Sequence, residues 1–257
     1  MSNLTYAPIP EWGHIAKAII NKQLSNEKLA EYWLLNNEKS YWFSRSAWSL
    51  YVIVKFRILI NSDNQVKVWA PSYFCNESLV AIRSLPIKLY FYPVLSSGKP
   101  DPIECNKMLD NCNPDIILFV HYFGEEVFSE ELYDLAKKND AWLVEDAVHC
   151  LKPSQGIGNQ GDFVLYSPHK LLAIPDGGLL VIREEGPSKI TSNLLEKFNF
   201  NEVYDSVINM RQFSNLFTYK WLIKRLIQKL GLHFSHKKII FNSENKMQNI
   251  KQLPHPK

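Results

Sequence analysis

Several things are scarce in this 257-residue sequence. The net charge is only +3, and no block of lysine and arginine sits among aromatic residues, so nucleic acid is not an expected partner. The four cysteines, Cys75, Cys105, Cys112 and Cys150, show no Cys-x-x-Cys spacing. They read as reduced thiols of a cytoplasmic protein, and no metal site is expected. No apolar run reaches the roughly 20 residues a membrane-spanning helix needs. The opening Met1–Pro10 is polar and proline-containing, unlike a leader peptide. Glycine occurs only ten times; with 46% hydrophobic and 21% charged residues the composition is that of an ordinary soluble globular protein. No expected strand runs into a Gly-x-Gly-x-x-Gly turn, which leaves a dinucleotide-binding oxidoreductase poorly supported.

What is present is an alternation of helices and short apolar strands. Residues 1–43 read as a helical arm, carrying Ile15, Ala18, Ile19 and Ile20, then Leu29, Tyr32, Trp33 and Leu34. Ala47 to Ile60 is apolar and free of Gly and Pro, a buried helix with Ser44 or Ser46 near its N-cap. Strands are expected at Val66–Ala70 (stopped by Pro71), Ile87–Tyr92, Asp115–Val120, Trp142–Glu145, Phe163–Tyr166 and Gly178–Ile182. Helices are expected at Asn76–Ser84, Ile103–Asp110 and Phe128–Asn139. Strands of this length between helices predict an α/β fold, a three-layer α/β/α domain over residues 44–190 with a mainly parallel sheet. Residues 191–257 are expected to form a helical C-terminal segment with a basic amphipathic helix at Phe213–His233 and a poorly ordered polar tail from Ser235.

Parallel sheets bind ligands at the carboxyl ends of their strands, and Ser72, His121 and Asp146 follow strand ends. The run Val144-Glu-Asp-Ala-Val-His149 followed by Ser167-Pro-His-Lys170 is the most telling. A strand that delivers Asp146, then one that delivers Ser-x-x-Lys, is a layout able to hold pyridoxal 5′-phosphate. The amine of Lys170 bonds the cofactor's aldehyde, and Asp146 keeps its pyridine nitrogen protonated. Alone, Asp146 would read as a cap or turn residue; Lys170 downstream favours the cofactor reading. Ser46 and Ala47, opening a helix with Arg45 beside them, are candidate phosphate ligands, as is Ser167. Tyr73 or Phe74 is expected to cover the ring face, and His149 to touch the ring or its phenolic oxygen. His121 and Tyr122 either contact the cofactor or line the substrate pocket, while His121 reads equally well as a core histidine.

These residues resemble the DegT/DnrJ/EryC1/StrS group of pyridoxal-phosphate aminotransferases, of the aspartate-aminotransferase (type I) fold. The likeness runs from Ser44 to about Arg183 through Ser44-Arg-Ser-Ala47, Pro71-Ser-Tyr-Phe-Cys75, His121-Tyr-Phe-Gly124, Glu145-Asp-Ala-Val-His149, Gly161-Asp162, Ser167-x-x-Lys170 and Gly177-Gly178. It implies a homodimer with active sites at the subunit interface. It also implies amino transfer from an amino acid, commonly glutamate, to a keto-sugar nucleotide used in polysaccharide or glycoconjugate biosynthesis. Lys170, where some members of the group carry histidine and deoxygenate their substrate, favours transamination. The serine stands three residues before the lysine where the group usually spaces it five before, which marks a divergent branch. The small C-terminal domain of the family is expected to be largely absent. The competing expectations are another pyridoxal-phosphate reaction, such as a lyase or desulfurase, and a truncated, non-catalytic protein that binds the cofactor or a partner subunit without turnover.

Overall fold

The computed structural model describes residues 9–20, 24–35, 38–61, 65–127, 129–210 and 215–234. In chain order these form α1 (Trp12–Ile20), α2 (Asn26–Ala30), β1 (Lys39–Phe43), α3 (Ser46–Ile60), β2 (Val66–Pro71), α4 (Asn76–Val80), β3 (Ile87–Tyr92), α5 (Pro102–Leu109) and β4 (Ile116–Val120). There follow α6 (Glu130–Lys138), β5 (Trp142–Asp146), β6 (Phe163–Tyr166), α7 (Pro168–Leu171), β7 (Gly178–Ile182), α8 (Ser192–Lys197), α9 (Phe200–Met210) and α10 (Asn215–Phe234). Residues 1–213 make one compact unit and residues 214–257 a second.

The strands join in one sheet of order β1-β7-β6-β5-β4-β2-β3. Strands β3, β2, β4, β5 and β6 run parallel, while β7 is antiparallel to both β6 and β1. The carboxyl ends of β1, β2, β4, β5 and β6 therefore lie along one edge, and β7 begins there. Between β2 and β4 the chain order reverses, the switch point at which open α/β sheets form crevices.

The strands read as apolar runs because both faces are covered. Ile116 and Leu118 of β4, Val144 of β5 and Leu165 of β6 face the core shared with α3, α8 and α9. Ile117 and Phe119 of β4 and Leu143 of β5 face the opposite layer, with Leu132, Leu135 and Ala136 of α6 and Cys105 of α5. A third cluster sets Val164, Tyr166, Leu179 and Val181 against Ala30 and Trp33. Asp101 and Ser129 start α5 and α6 by accepting first-turn N–H groups, which is why those helices begin where they do.

Several expectations need correction. The helical arm ends before Lys39, where the chain becomes an edge strand paired with β7 (Lys39↔Ile182 to Phe43↔Gly178). Only Phe43 of its five residues is buried, so the local pattern carries little strand signal and the pairing is a tertiary effect. Helix α3 begins with Ser46 as its first helical residue; Arg45 occupies the cap position and makes no side-chain cap. Pro71 is the last residue of β2, not its stop, and the helix expected over Asn76–Ser84 breaks at Ala81 into α4 and a 3₁₀ turn. Helix α6 starts at Glu130, and Phe128 lies outside the described residues. Gly156-Ile-Gly-Asn-Gln-Gly161 does have the dinucleotide spacing, but it sits in the loop between β5 and β6 and opens no helix. Past residue 190 the chain does not leave the domain: Ile190, Leu195, Phe200, Val203 and Val207 are buried in the core beneath α3.

In the second unit α10 is helical, as the spacing predicts, with the Arg225 guanidinium 5.5 Å from the Trp221 ring centre. The polar tail, 235–257, lies outside the described residues. Among the described residues no helix is long and apolar enough to cross a membrane.

Phe56 ties these layers together, its ring stacked on Trp142 of β5 at 5.8 Å and edge-on to Phe200 of α9 at 4.8 Å. Phe56→Ala should cost about 3–5 kcal/mol of stability, measured as a lowered midpoint in denaturant unfolding with one cooperative transition. An unchanged midpoint, or early separate loss of α9, would show that α9 is not part of this core.

Candidate active site

The shared sheet edge carries the site. From β1 the chain passes through Ser44 and Arg45 into α3, and the backbone N–H of Gly177 donates to Ser44 O at 3.0 Å. Gly178, the first residue of β7, runs so close to this turn that a Cβ there would collide with the backbone of Arg45 and Ser46. Glycine is required by that approach, and it seats the start of α3 against the sheet. No side chain caps the helix there; Trp48 N–H donates to Arg45 O (3.0 Å), while the N–H groups of Ser46 and Ala47 and the positive end of the dipole stand at the helix start where an anion is favoured. Ser46 adds its hydroxyl, which accepts a hydrogen bond from the fully buried Ser167 (Oγ–Oγ 3.1 Å). Ser46, Ala47 and Ser167 are thus brought to one place from the two ends of the sequence.

Ser167 follows β6 at the cap position of the short helix α7, which carries Lys170, whose backbone N–H donates to Ser167 O at 2.9 Å. On the neighbouring strand Asp146 pairs with Leu165 and ends β5. Asp146 is 6% exposed and accepts a hydrogen bond from Val148 N–H at 3.1 Å. Burial pushes its carboxyl up to about 6, opposed by that hydrogen bond and then by the charge of Lys170. Lys170, just past the end of β6, is thus close enough for its charge to act on the Asp146 carboxyl at the end of β5. Lys170 itself is exposed in the single chain.

His149 stands beside them. Its Nδ1 accepts the backbone N–H of Phe123 at 3.3 Å, leaving Nε2 to carry the proton. Partial burial, then the charge of Lys170, holds the ring below its ordinary pKa and favours the neutral form. The Phe123 ring lies parallel to it, 6.1 Å between centres. Tyr73 follows β2 with its ring 65% exposed, tilted against Tyr122 at 5.4 Å. Tyr122 Oη–H donates to Tyr73 O at 2.6 Å, and burial followed by the nearby Asp146 pushes its phenol up to about 12. Two clefts reach this edge: one of about 530 Å³ beside Trp42, Trp48, Ser44 and Gly177, the other of about 380 Å³ beside Tyr73, Tyr122 and Phe123.

Two expected site residues turn inward. Phe74 packs against the core beneath α3, so of the two aromatics after β2 only Tyr73 is presented at the edge. His121 is fully buried, with both ring nitrogens committed: Nδ1 accepts from Val127 N–H (3.1 Å) and Nε2–H donates to Glu145 Oε1 (2.8 Å). It is a core histidine, and the reading as a pocket residue does not hold. Glu145 is the hub of that hidden network. Its carboxylate also accepts the N–H groups of Gly158, Gln160 (3.0 Å) and Gly161 (3.1 Å), and so pins the β5–β6 loop behind the site. Asp162 does the same one strand over, accepting from Leu143 and Ser188 N–H groups, both at 2.8 Å.

Three residues were missed by sequence reasoning. His169 sits beside Lys170 and bonds Arg45, which the helix-start reading had mentioned only as a possible charge. Glu145 was visible as part of a motif but not as a hub. Phe123 has left-handed backbone (φ 57), a conformation rare for a bulky residue, and no pattern in the chain announces it. Among the described residues no cluster of His, Cys, Asp or Glu is arranged to hold a metal ion.

The donor set fits pyridoxal 5′-phosphate: an uncapped helix start with two serines for a dianion, a lysine amine, and a buried carboxylate whose raised pKa leaves it in want of a cationic partner. The model of the DegT/DnrJ/EryC1/StrS aminotransferase family matches residues 95–206. No curated protein matches in sequence. Among solved structures, the chain resembles Helicobacter pylori PseC, an aminotransferase involved in the biosynthesis of pseudoaminic acid (TM-score 0.58, 18% identity, 76% of this chain and 54% of that one). It also resembles the aminotransferase TlmJ from Streptoalloteichus hindustanus (TM-score 0.52, 20% identity, 66% and 45%) and mouse CSAD (TM-score 0.50, 14% identity, 67% and 41%). The chain spans about half the length of these proteins. What is shared is the fold, the mostly parallel α/β/α large domain of type I pyridoxal-phosphate enzymes.

Because ionised Asp146 is disfavoured by burial, its carboxylate destabilises the cofactor-free protein. The folded pKa of about 6 lies above the ordinary 3.8, so this cost is absent in acid, grows as pH rises from about 4 to 6, and is full above that. Asp146→Asn keeps the acceptor for Val148 and should stabilise the cofactor-free protein by about 1–3 kcal/mol at pH 8, with the gain vanishing near pH 4. Thermal melts at the two pH values measure it; equal gains at both would refute the assignment.

Proposed function

From the match of residues 95–206 to the DegT/DnrJ/EryC1/StrS aminotransferase family, we propose that this chain binds pyridoxal 5′-phosphate and transfers an amino group from an amino acid, with glutamate the first donor to test, to a carbonyl acceptor. The acceptor proposed is a keto-sugar nucleotide in polysaccharide or glycoconjugate biosynthesis, as the family resemblance implies. What supports the reading is that the charge of Lys170 acts on the buried Asp146 carboxyl, beside the strand that leads into the Ser46–Ser167 pair.

When bound, the cofactor supplies an aldehyde to bond an amine and a protonated ring to withdraw electrons from the carbon next to it. The chain's residues divide the remaining tasks. Ser46, Ala47 and Ser167 hold the phosphate through the helix start and two hydroxyls. Asp146, nearly out of water, keeps a proton on the pyridine nitrogen, because a buried carboxylate gains most from a directly facing cation. Tyr73 would cover the ring face, and His149 would touch the ring or its phenolic oxygen. Lys170 Nζ would bond the cofactor's aldehyde and, when free, would carry a proton to and from the substrate's α-carbon. Tyr122 fixes Tyr73 by bonding its carbonyl.

The proposal includes a cytoplasmic homodimer. In a single chain Lys170 is open to solvent, and the apolar side chains Tyr73, Phe123, Leu151, Leu171 and Leu172 are exposed near it. A second copy covering this face would exclude water from the lysine. Light scattering should find a mass of two chains, and Leu172→Asp should shift it toward one; a wild-type protein that stays single at micromolar concentration would count against the interface. Weighing against a non-catalytic protein is the full set of lysine, aspartate and serines at one edge.

The main test is spectroscopic. Incubated with pyridoxal 5′-phosphate, the protein should turn yellow and, after borohydride, retain the cofactor on the peptide containing Lys170. Glutamate should then bleach the unreduced holoenzyme to the amine form of the cofactor. Lys170→Ala should abolish covalent retention. Colourless wild-type protein would sink the cofactor reading; a yellow protein indifferent to every amino donor would leave the binder alone standing.

A further inference from the structure

Arg45 occupies the position before α3 where a capping side chain ordinarily turns back onto the helix, yet its side chain reaches elsewhere. Its Nη1 lies 2.8 Å from His169 Nε2. The other nitrogen of that ring, Nδ1, lies 2.7 Å from the carbonyl oxygen of Gly177. A carbonyl can only accept, so Nδ1 carries the ring proton and Nε2 presents its lone pair to the guanidinium. Gly177 N–H in turn donates to Ser44 O, and Ser44 precedes Arg45, which closes a ring of contacts around the helix start. Burial, and then the facing charges of Arg45 and Lys170, hold His169 below its ordinary pKa against the pull of Gly177 O and Asp176, which keeps the acceptor lone pair free.

A neutral acceptor has a specific consequence. A carboxylate in the place of His169 would hold the arginine as well but cancel its charge; an imidazole fixes the long side chain and leaves the charge for an incoming anion. Asp176, next to Gly177, lies within electrostatic reach of both Arg45 and His169.

We propose that His169 is a positioning residue that holds the Arg45 guanidinium beside the anion cradle of Ser46, Ala47 and Ser167, so that a phosphate ester seated there meets a fixed cation. This rests on the cofactor reading given above and deepens it to a pair of residues that the family motifs leave unassigned.

Full-length wild type, Arg45→Ala, His169→Leu, His169→Gln and the Arg45→Ala/His169→Leu double variant are titrated with three probes: pyridoxal 5′-phosphate, pyridoxal and inorganic phosphate. Tryptophan fluorescence and calorimetry read the dissociation constants. Arg45→Ala should weaken both phosphate-bearing probes by about tenfold to a hundredfold, the worth of a charge-assisted hydrogen bond, and leave pyridoxal unchanged. His169→Leu should weaken them in the same direction. The double variant should be no weaker than Arg45→Ala alone, because the two act as one unit. His169→Gln, which retains a donor for Gly177 and an acceptor for Arg45, should recover most of the loss; a merely structural histidine would not show this selective rescue. Melting temperatures identify any variant that fails to fold, and His169→Gln then carries the test with Arg45→Ala.

If pyridoxal 5′-phosphate binds in a Lys170-dependent way but neither Arg45→Ala nor His169→Leu alters the phosphate preference, the cofactor reading stands and this inference falls. Additive losses in the double variant overturn it too. If inorganic phosphate binds and depends on both residues while pyridoxal 5′-phosphate is not bound through Lys170, the cradle stands and the cofactor reading falls. Binding of neither phosphate probe by the wild type overturns both.

Discussion

A carboxylate held almost out of water is the constraint around which the rest is arranged. Asp146 has Val148 N–H for a hydrogen-bond donor and a carboxyl pushed up to about 6 by burial. Such a group is unfavourable to a fold that has nothing to place against it. Its position is dictated by β5, which is buried along its whole length and flanked by parallel strands, so the carboxylate emerges where the sheet stops, within reach of the charge of Lys170 past the end of β6. Local instability at the end of a rigid strand is a familiar arrangement for a site that awaits a charged partner.

The ground beneath this pair is made rigid by polar groups that never see the open edge. Glu145, next in sequence to Asp146 and pointing to the other face, gathers His121 and the backbone of Gly158, Gln160 and Gly161. Asp162 ties the start of β6 to β5 and to Ser188. Arg183 joins the same loop to Glu38 just before β1 through bonds to Gly158 O (3.1 Å) and Glu38 Oε1 (2.6 Å). Alternation along β5 therefore turns Glu145 to the loop it anchors and Asp146 to the other face, a division set by the period of two in a strand.

Much of the fold could be read from the chain because both faces of the sheet are covered. Runs such as Ile116–Val120 and Phe163–Tyr166 are apolar throughout, and no other local structure of that length suits them. Strand β1 could not be read, since four of its five residues are only half-buried and its existence depends on pairing with β7 far along the chain, from Lys39↔Ile182 to Phe43↔Gly178. The same holds for the region after residue 190: Phe200 and Val207 look like any amphipathic helix until they are found against Phe56 and its neighbours.

Side-chain direction was the harder part of the site. Tyr73 and Phe74 are adjacent aromatics after one strand, and one lies open while the other enters the core. His121 directly follows β4 and Asp146 ends the neighbouring β5, yet Val127 N–H and Glu145 draw His121 inward. The amino-acid order by itself determined which chemical groups stand at strand ends, since apolar periodicity marks where strands stop and Asp146, Ser167 and Lys170 follow those stops. Only the tertiary structure decided which of those groups meet, because the contact of Ser46 with Ser167 and of Arg45 with His169 spans more than a hundred residues. Such contacts follow from strand order and from the close approach allowed at Gly178, neither of which leaves a local trace in the chain.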